Sequence, residues 1–157
     1  MDNEKGIVVN VSKFEGGSET GSVPDFAQFR LNVRVLREKD LEGLYELLEK
    51  MQTQPFDSRT RIEIEKTGGR PCMEPHEATM QLLKELELAG EAVGQKPAWL
   101  VTGGVSDGNF VSCYGVATLD GCGPCGGNLH TRQEYLKTAS VKQRLELMEA
   151  LLLRLFS

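Results

Sequence analysis

The stretch from Phe26 to Leu36 constrains the fold most, because its apolar and polar side chains alternate without interruption. The apolar side chains are Phe29, Leu31, Val33 and Val35. The polar ones are Gln28, Arg30, Asn32 and Arg34. A period of two predicts a β-strand with one buried face and one face that is wet or functional.

Three further patterns surround this strand. Residues 7–14 alternate through Ile7, Val9 and Val11 and predict a strand, and residues 60–66 do the same through Ile62 and Ile64. Between them, residues 38–52 carry leucines at helical spacing and predict an amphipathic helix. The order strand, strand, helix, strand is two-thirds of a ferredoxin-like unit, whose first strand and helix would precede Met1. Residues 1–70 are therefore expected to be part of an α+β domain.

Residues 71–157 follow a glycine- and proline-bearing linker and show an α/β pattern. Helices are predicted over 76–93 and from Ser140 to Phe156, the second with Ser140 and Gln143 as a capping box. Short strands are predicted at 98–101 and 117–119. The first runs into a glycine loop at Gly103, the usual place for a site in an open α/β sheet.

Charge and hydropathy exclude two classes of partner. The net charge is −5 and the pI about 5.2, whereas nucleic-acid binding usually needs a basic face. No apolar run approaches the roughly 20 residues of a membrane span. The N-terminus from Met1 to Lys5 is too polar for a signal peptide. We therefore expect a cytoplasmic protein that binds neither nucleic acid nor membrane.

The glycine-rich loop from Gly121 to Glu134 concentrates the chemistry, and two interpretations compete for it. Cys122 and Cys125 have the spacing of a thiol redox motif, while His130 could be a metal ligand. A redox cysteine of this type usually lies at a helix N-terminus. The glycines directly after Cys125 make a helix starting at Cys122 a poor one, so two small side chains in a tight turn are the simpler interpretation.

Two charged residues outside this loop have alternative roles. Arg70, between Gly69 and Pro71, is either a solvated linker charge or a rigidly held fork for a carboxylate. Asp107 follows Gly103 and Gly104 and either caps the next helix or belongs to a site.

Taken jointly, three stretches resemble the di-zinc exopeptidase family of glutamate carboxypeptidases, acetylornithine deacetylase, succinyl-diaminopimelate desuccinylase and aminoacylases. Residues 103–110 resemble the family's Gly-Gly-x-Ser/Thr-Asp loop. Residues 119–135 resemble its closing motif, and the Asp-Gly-x-Gly-Pro form is similar to the glutamate-carboxypeptidase branch. Gly16-Gly17, Val23-Pro24-Asp25 and Asn32-Val33-Arg34 resemble the second half of its small lid domain.

The resemblance implies roles for single residues. His130 would be the last zinc ligand, and Arg70 would grip the free carboxylate of a peptide or N-acyl amino acid substrate. Gly103, Gly104 and Asp107 would shape the substrate pocket, and Arg34 would either assist with the substrate or pair on the lid. In the family, two zinc ions activate a bridging water that attacks an amide carbonyl. The lid usually pairs two subunits, which implies a homodimer for the full-length protein.

Departures from the family pattern shape the functional expectation. Gly21 stands where many relatives have an asparagine near the substrate. The sequence contains no His-x-Asp motif and no Glu-Glu pair, which would supply most zinc ligands and the general base. We therefore expect the C-terminal half of an enzyme: a partial lid at 1–70 and the end of the catalytic domain at 71–157. Such a chain should be inactive alone and should expose apolar surface.

Overall fold

The computed structural model describes residues 6–157 as a mixed α/β chain. Its contacts divide it into two compact units. Unit 1 runs up to Cys72 and includes Val101–Gly104, and unit 2 comprises Met73–Leu100 and Val105–Ser157. The assignment of 1–70 to a lid and of 71–157 to a catalytic domain stays a prediction. Among the described residues, no helix is long and apolar enough to cross a lipid bilayer.

Unit 1 contains an antiparallel hairpin of β1 (Val8–Gly16) and β2 (Ala27–Arg34). Both strands were predicted, because their alternation is a local property of the sequence. The rings of Phe14 and Phe29 stack across the hairpin with centroids 6.3 Å apart. The predicted burial of one face is wrong for this unit, since Phe29 is 54% exposed. Within the described part of unit 1, no helix packs on the hairpin to cover it.

The helix of unit 1, α1 (Lys39–Thr53), also agrees with the prediction and buries none of its residues. The predicted strand at 60–66 is wrong, because residues 61–76 form neither helix nor strand. A strand requires a partner backbone, and this segment instead makes side-chain contacts with α1. The Lys66 ammonium donates to the Tyr45 hydroxyl at 3.0 Å. The ferredoxin-like arrangement of this unit therefore stays a proposal.

Unit 2 is organised around two helices, α2 (Glu77–Ala92) and α4 (Ala139–Phe156). Between them lie α3 (Gly108–Ser112) and the short strands β3 (Gly126–Gly127) and β4 (Tyr135–Leu136). The core where α2 meets α4 consists of Leu83, Leu86, Ala89, Leu147 and Leu151. The predicted strands at 98–101 and 117–119 are wrong, because neither stretch pairs with another strand.

The starts of the two long helices differ from each other. His76 caps α2, since its ring nitrogen Nδ1 accepts the Thr79 N–H at 3.4 Å. The capping box predicted at Ser140 is wrong, because α4 begins one residue earlier and Thr138 is its N-cap. The hydroxyl of Ser140 lies in the first turn of α4 and accepts a hydrogen bond from the N–H of Cys125, 15 residues earlier in the chain.

Apolar surface is exposed in both units, as expected from the sequence. On α4, Leu152, Leu153 and Phe156 are exposed although the opposite side of the same helix forms the core. In unit 1, Phe14 and Phe26 are exposed as well. Isolated domains rarely show this many exposed large apolar side chains.

Candidate functional site

The candidate metal ligand His130 lies on a loop closed by a two-rung ladder. β3 and β4 pair antiparallel, with Gly126 opposite Leu136 and Gly127 opposite Tyr135. Glycine is required at Gly126, because a Cβ there would overlap the Tyr135 backbone carbonyl oxygen, whereas a Cβ on Gly127 would meet only the Tyr135 side chain, 2.7 Å from its hydroxyl oxygen. The ladder holds the two ends of residues 128–134 together and leaves His130 near the tip.

The backbone at His130 is in the left-handed region, with φ of 66°, and that of Asn128 has φ of 55°. Non-glycine residues rarely adopt this conformation, and it persists only where surrounding contacts impose it. Here the contacts are internal to the loop. The His130 N–H donates to the Glu134 carboxylate at 3.1 Å, and the Thr131 hydroxyl donates to the Asn128 carbonyl at 2.7 Å. The loop therefore fixes the backbone from which the exposed imidazole projects.

Cys122 does not have the surroundings of an activated thiol. Burial raises the pKa of the Cys122 thiol, the nearby Arg144 opposes this shift, and the Asp120 carboxylate reinforces it. A thioredoxin-type cysteine needs the opposite shift, and no helix begins at Cys122. The redox interpretation therefore receives no support from the geometry.

The predicted Gly-Gly-x-Ser-Asp loop is divided between the two units. Gly103 and Gly104 belong to unit 1, whereas Asp107 belongs to unit 2. Asp107 occupies the N-cap position of α3, but its side chain does not cap the helix. Ser106 caps the helix instead, since its hydroxyl oxygen accepts the Gly108 N–H at 3.1 Å.

Arg34 and Gly103 come together in a cavity of unit 1 of about 520 Å³. The residues that line it are Gly6, Val8, Asn10, Asn32, Arg34, Leu36, Val101 and Gly103. The Asn32 side-chain oxygen accepts from the Arg34 Nε at 3.3 Å, which orients the guanidinium. Asn10 and Asn32 were not predicted as site residues. They are direct partners in the β1–β2 register, which is the signal that could have identified them.

Arg70 does not line this cavity. It lies exposed in the irregular segment 61–76, beside Gly69, whose positive φ of 157° is rarely adopted by residues with a side chain. Its role in gripping a carboxylate stays a prediction.

The residues that the structure describes do not complete a two-zinc site. Among residues 6–157, no group of three or more histidine, cysteine, aspartate or glutamate side chains is close enough to hold a metal ion. Zinc sites in proteins usually have three or four protein ligands. His130 is therefore a single candidate ligand, and no reaction step through zinc follows from these residues alone.

The chain belongs to peptidase family M20/M25/M40, whose family model matches residues 3–154. The resemblance inferred from the sequence motifs is thereby confirmed.

Two relatives show how much of such a protein is represented here. Carboxypeptidase G2 of Pseudomonas sp. (strain RS-16) is 24% identical over 156 residues, which are 98% of this chain and 38% of the relative. The solved structure of aminopeptidase PepT from Bacillus cereus ATCC 10987 matches with a TM-score of 0.74 and 23% identity. That match covers 92% of this chain and 39% of PepT. The chain thus spans about two-fifths of the length of either relative.

Proposed function

We propose that the protein is part of a zinc-dependent hydrolase, an exopeptidase or amidohydrolase of the glutamate-carboxypeptidase kind. Its reaction would be cleavage of an amide bond beside a free carboxylate. The observation that carries this proposal is the family match over residues 3–154, together with the similarity to Carboxypeptidase G2 along 98% of the chain.

The proposal assigns roles to residues of two candidate sites, the His130 loop and the pocket that Arg34 lines. His130 contributes one zinc ligand from its constrained loop. In unit 1, Arg34 offers an exposed guanidinium that Asn32 orients beside an open pocket, which suits a planar carboxylate. Arg70 is the second candidate for gripping the carboxylate, and Gly103, Gly104 and Asp107 shape the pocket.

The proposal also includes the substrates, the oligomeric state and the cellular location. The substrates would be small peptides or N-acyl amino acids, and the complete protein would be a cytoplasmic homodimer paired through its lid. The acidic net charge of −5 favours neither nucleic acid nor an anionic membrane as a partner.

We expect the chain alone to be inactive, because His130 is the one zinc ligand that the family resemblance assigns to it. The test uses purified chain with added zinc and three substrate types: glutamate-ended peptides, N-acyl amino acids and dipeptides. Turnover should not exceed that of a His130→Ala variant, with Carboxypeptidase G2 as the positive control. Turnover comparable to the positive control, and lost in His130→Ala, would overturn the view that the chain is an incomplete fragment.

A second candidate function is that of a non-catalytic module for dimerisation or complementation. It is favoured by the uncovered hairpin of unit 1, where Phe14 and Phe29 stack in an exposed position. Such a face would be covered by association with a second chain.

Sedimentation velocity separates this candidate from the first. We expect the chain to associate in a concentration-dependent manner, and a Phe29→Ser variant to sediment as a monomer. A variant of the exposed residue Lys142 on α4, Lys142→Ala, serves as the control for a surface change outside the hairpin. Monomeric behaviour of the unmodified chain at all concentrations would exclude self-association.

A further inference from the structure

The backbone N–H and the Sγ of Cys125 bond side chains of α4, and its carbonyl bonds Lys137, two residues before that helix. Its N–H donates to the Ser140 hydroxyl oxygen at 2.8 Å, and its carbonyl accepts the Lys137 N–H at 2.9 Å. Its Sγ accepts from the Arg144 guanidinium at 3.6 Å. A loop residue with its backbone and side chain bonded to one helix start is held in place by that helix.

Ser140 is the centre of this contact. It is buried, with 6% of its surface exposed. Its hydroxyl accepts the Cys125 N–H and donates to the Lys137 carbonyl at 2.5 Å. This one hydroxyl therefore bonds residues at both strand ends, Cys125 before β3 and Lys137 after β4. Its removal leaves the Cys125 N–H without its partner.

The contact lies at the base of the His130 loop. Cys125 directly precedes β3 and Lys137 directly follows β4, so their hydrogen bond extends the ladder by one rung. The ladder has only two rungs of its own, and both involve a glycine. A ladder this short is marginal by itself, so its register depends on the attachment to α4. Any shift at the base moves His130 at the tip.

We propose that Cys125 and Ser140 are positioning residues that fix the His130 loop onto the first turn of α4. The Cys-Gly-Pro-Cys sequence is then an anchor of the loop and not a redox pair. The metal-related consequence rests on the proposed role of His130 as a ligand, whereas the anchoring itself does not.

The first experiment compares Ser140→Ala with Ser140→Thr, which keeps the hydroxyl. Amide hydrogen exchange followed by NMR reports on Cys125 and Lys137. In Ser140→Ala both amides should exchange about tenfold faster, the change expected when a buried hydrogen bond is lost, and in Ser140→Thr they should stay near the unmodified chain. Lys142→Ala, on the same helix, controls for an exposed change. Unchanged exchange in Ser140→Ala would overturn the proposal.

The cysteines provide a second and asymmetric test. Cys125→Ala removes the sulfur that Arg144 contacts and should speed exchange at Lys137, whereas Cys122→Ala should not. A redox pair would instead be converted to an intramolecular disulfide by oxidised glutathione, with two glutathione thiols released and both cysteines required equally. Mass spectrometry detects that disulfide, and its stoichiometric formation would overturn the anchor role.

A metal titration separates the anchor from the proposed function. Co²⁺ is added to the unmodified chain and to both Ser140 variants while the His130 ring resonances are recorded. We expect Ser140→Ala to need several-fold more Co²⁺ for the same response, with Ser140→Thr and the melting temperature little changed. No response at His130 in the unmodified chain would count against the ligand role, and the exchange data would still decide the anchor. Equal responses in the two variants would contradict positioning.

Discussion

Replacing Leu147 with alanine is expected to lower the free energy of unfolding of unit 2 by about 2–5 kcal/mol. Leu147 is 1% exposed and lies between α2 and α4, in a core of only five buried apolar residues. The substitution removes packing contacts between the two helices and leaves a cavity in this core. Because small domains are stable by only about 5–15 kcal/mol, the variant should be largely destabilised or unfolded.

The matched control is Leu145→Ala, the same chemical change two residues earlier on the same helix. Leu145 is 65% exposed, so its loss should change stability by about 0.5 kcal/mol or less. Urea unfolding followed by far-UV circular dichroism measures both variants. Equal transition midpoints for Leu147→Ala and Leu145→Ala would show that this core does not hold the unit together.

The second large effect is expected for Gly126→Ala, which should open the ladder at the base of the His130 loop. A Cβ at this position would overlap the backbone carbonyl oxygen of Tyr135 on the opposite strand. Backbone cannot rotate away as a side chain does, so relief of the overlap requires the strands to separate. We expect a local cost of about 1–3 kcal/mol, as for other overpacked sites.

Gly123→Ala is the matched control, since a Cβ at Gly123 meets nothing within 4 Å and its φ is not positive. It should be neutral or slightly stabilising, by about 0.4–1 kcal/mol at most. Amide exchange at Gly127 and Lys137 measures ladder opening in both variants. Similar protection in Gly126→Ala and in the unmodified chain would contradict the steric argument.

The sequence predicted the helices closely. The helix predicted at 76–93 is observed at Glu77–Ala92, and that predicted at 38–52 at Lys39–Thr53. Helical hydrogen bonds join residues four apart, so the information that specifies a helix is contained within it. The hairpin strands were predicted for a related reason, since their alternation extends over many residues.

The failed predictions concern short strands and one cap. The segments 60–66, 98–101 and 117–119 have apolar residues in suitable positions, but a strand also needs a partner backbone beside it. The cap at Ser140 failed because α4 begins at Ala139, and the Ser140 hydroxyl is instead bonded to Cys125, which is 15 residues away in sequence. Local patterns contain no information on such distant partners.

The candidate site likewise contains residues that the sequence identified and residues that it missed. His130 was identified from its motif, and the family match confirms the resemblance on which this identification rests. Asn10 and Asn32 were missed, because their pairing depends on the register of two strands joined by a turn. The departure from the family's zinc motifs was visible in the sequence as the missing His-x-Asp and Glu-Glu patterns.

By itself, the sequence determined the helices and the long hairpin strands, since each depends on spacing within a short stretch. It also indicated the family, through the order of several motifs along the chain, while the ligand role of His130 stays a prediction. Only the tertiary structure decided which surfaces are buried, which glycines are required and what Cys125 does. Those properties arise from atoms far apart in the chain that meet at 3 to 4 Å, as Cys125 meets Arg144 at 3.6 Å. Cys125, whose spacing from Cys122 is that of a redox motif, is in the folded chain the residue that attaches the His130 loop to α4.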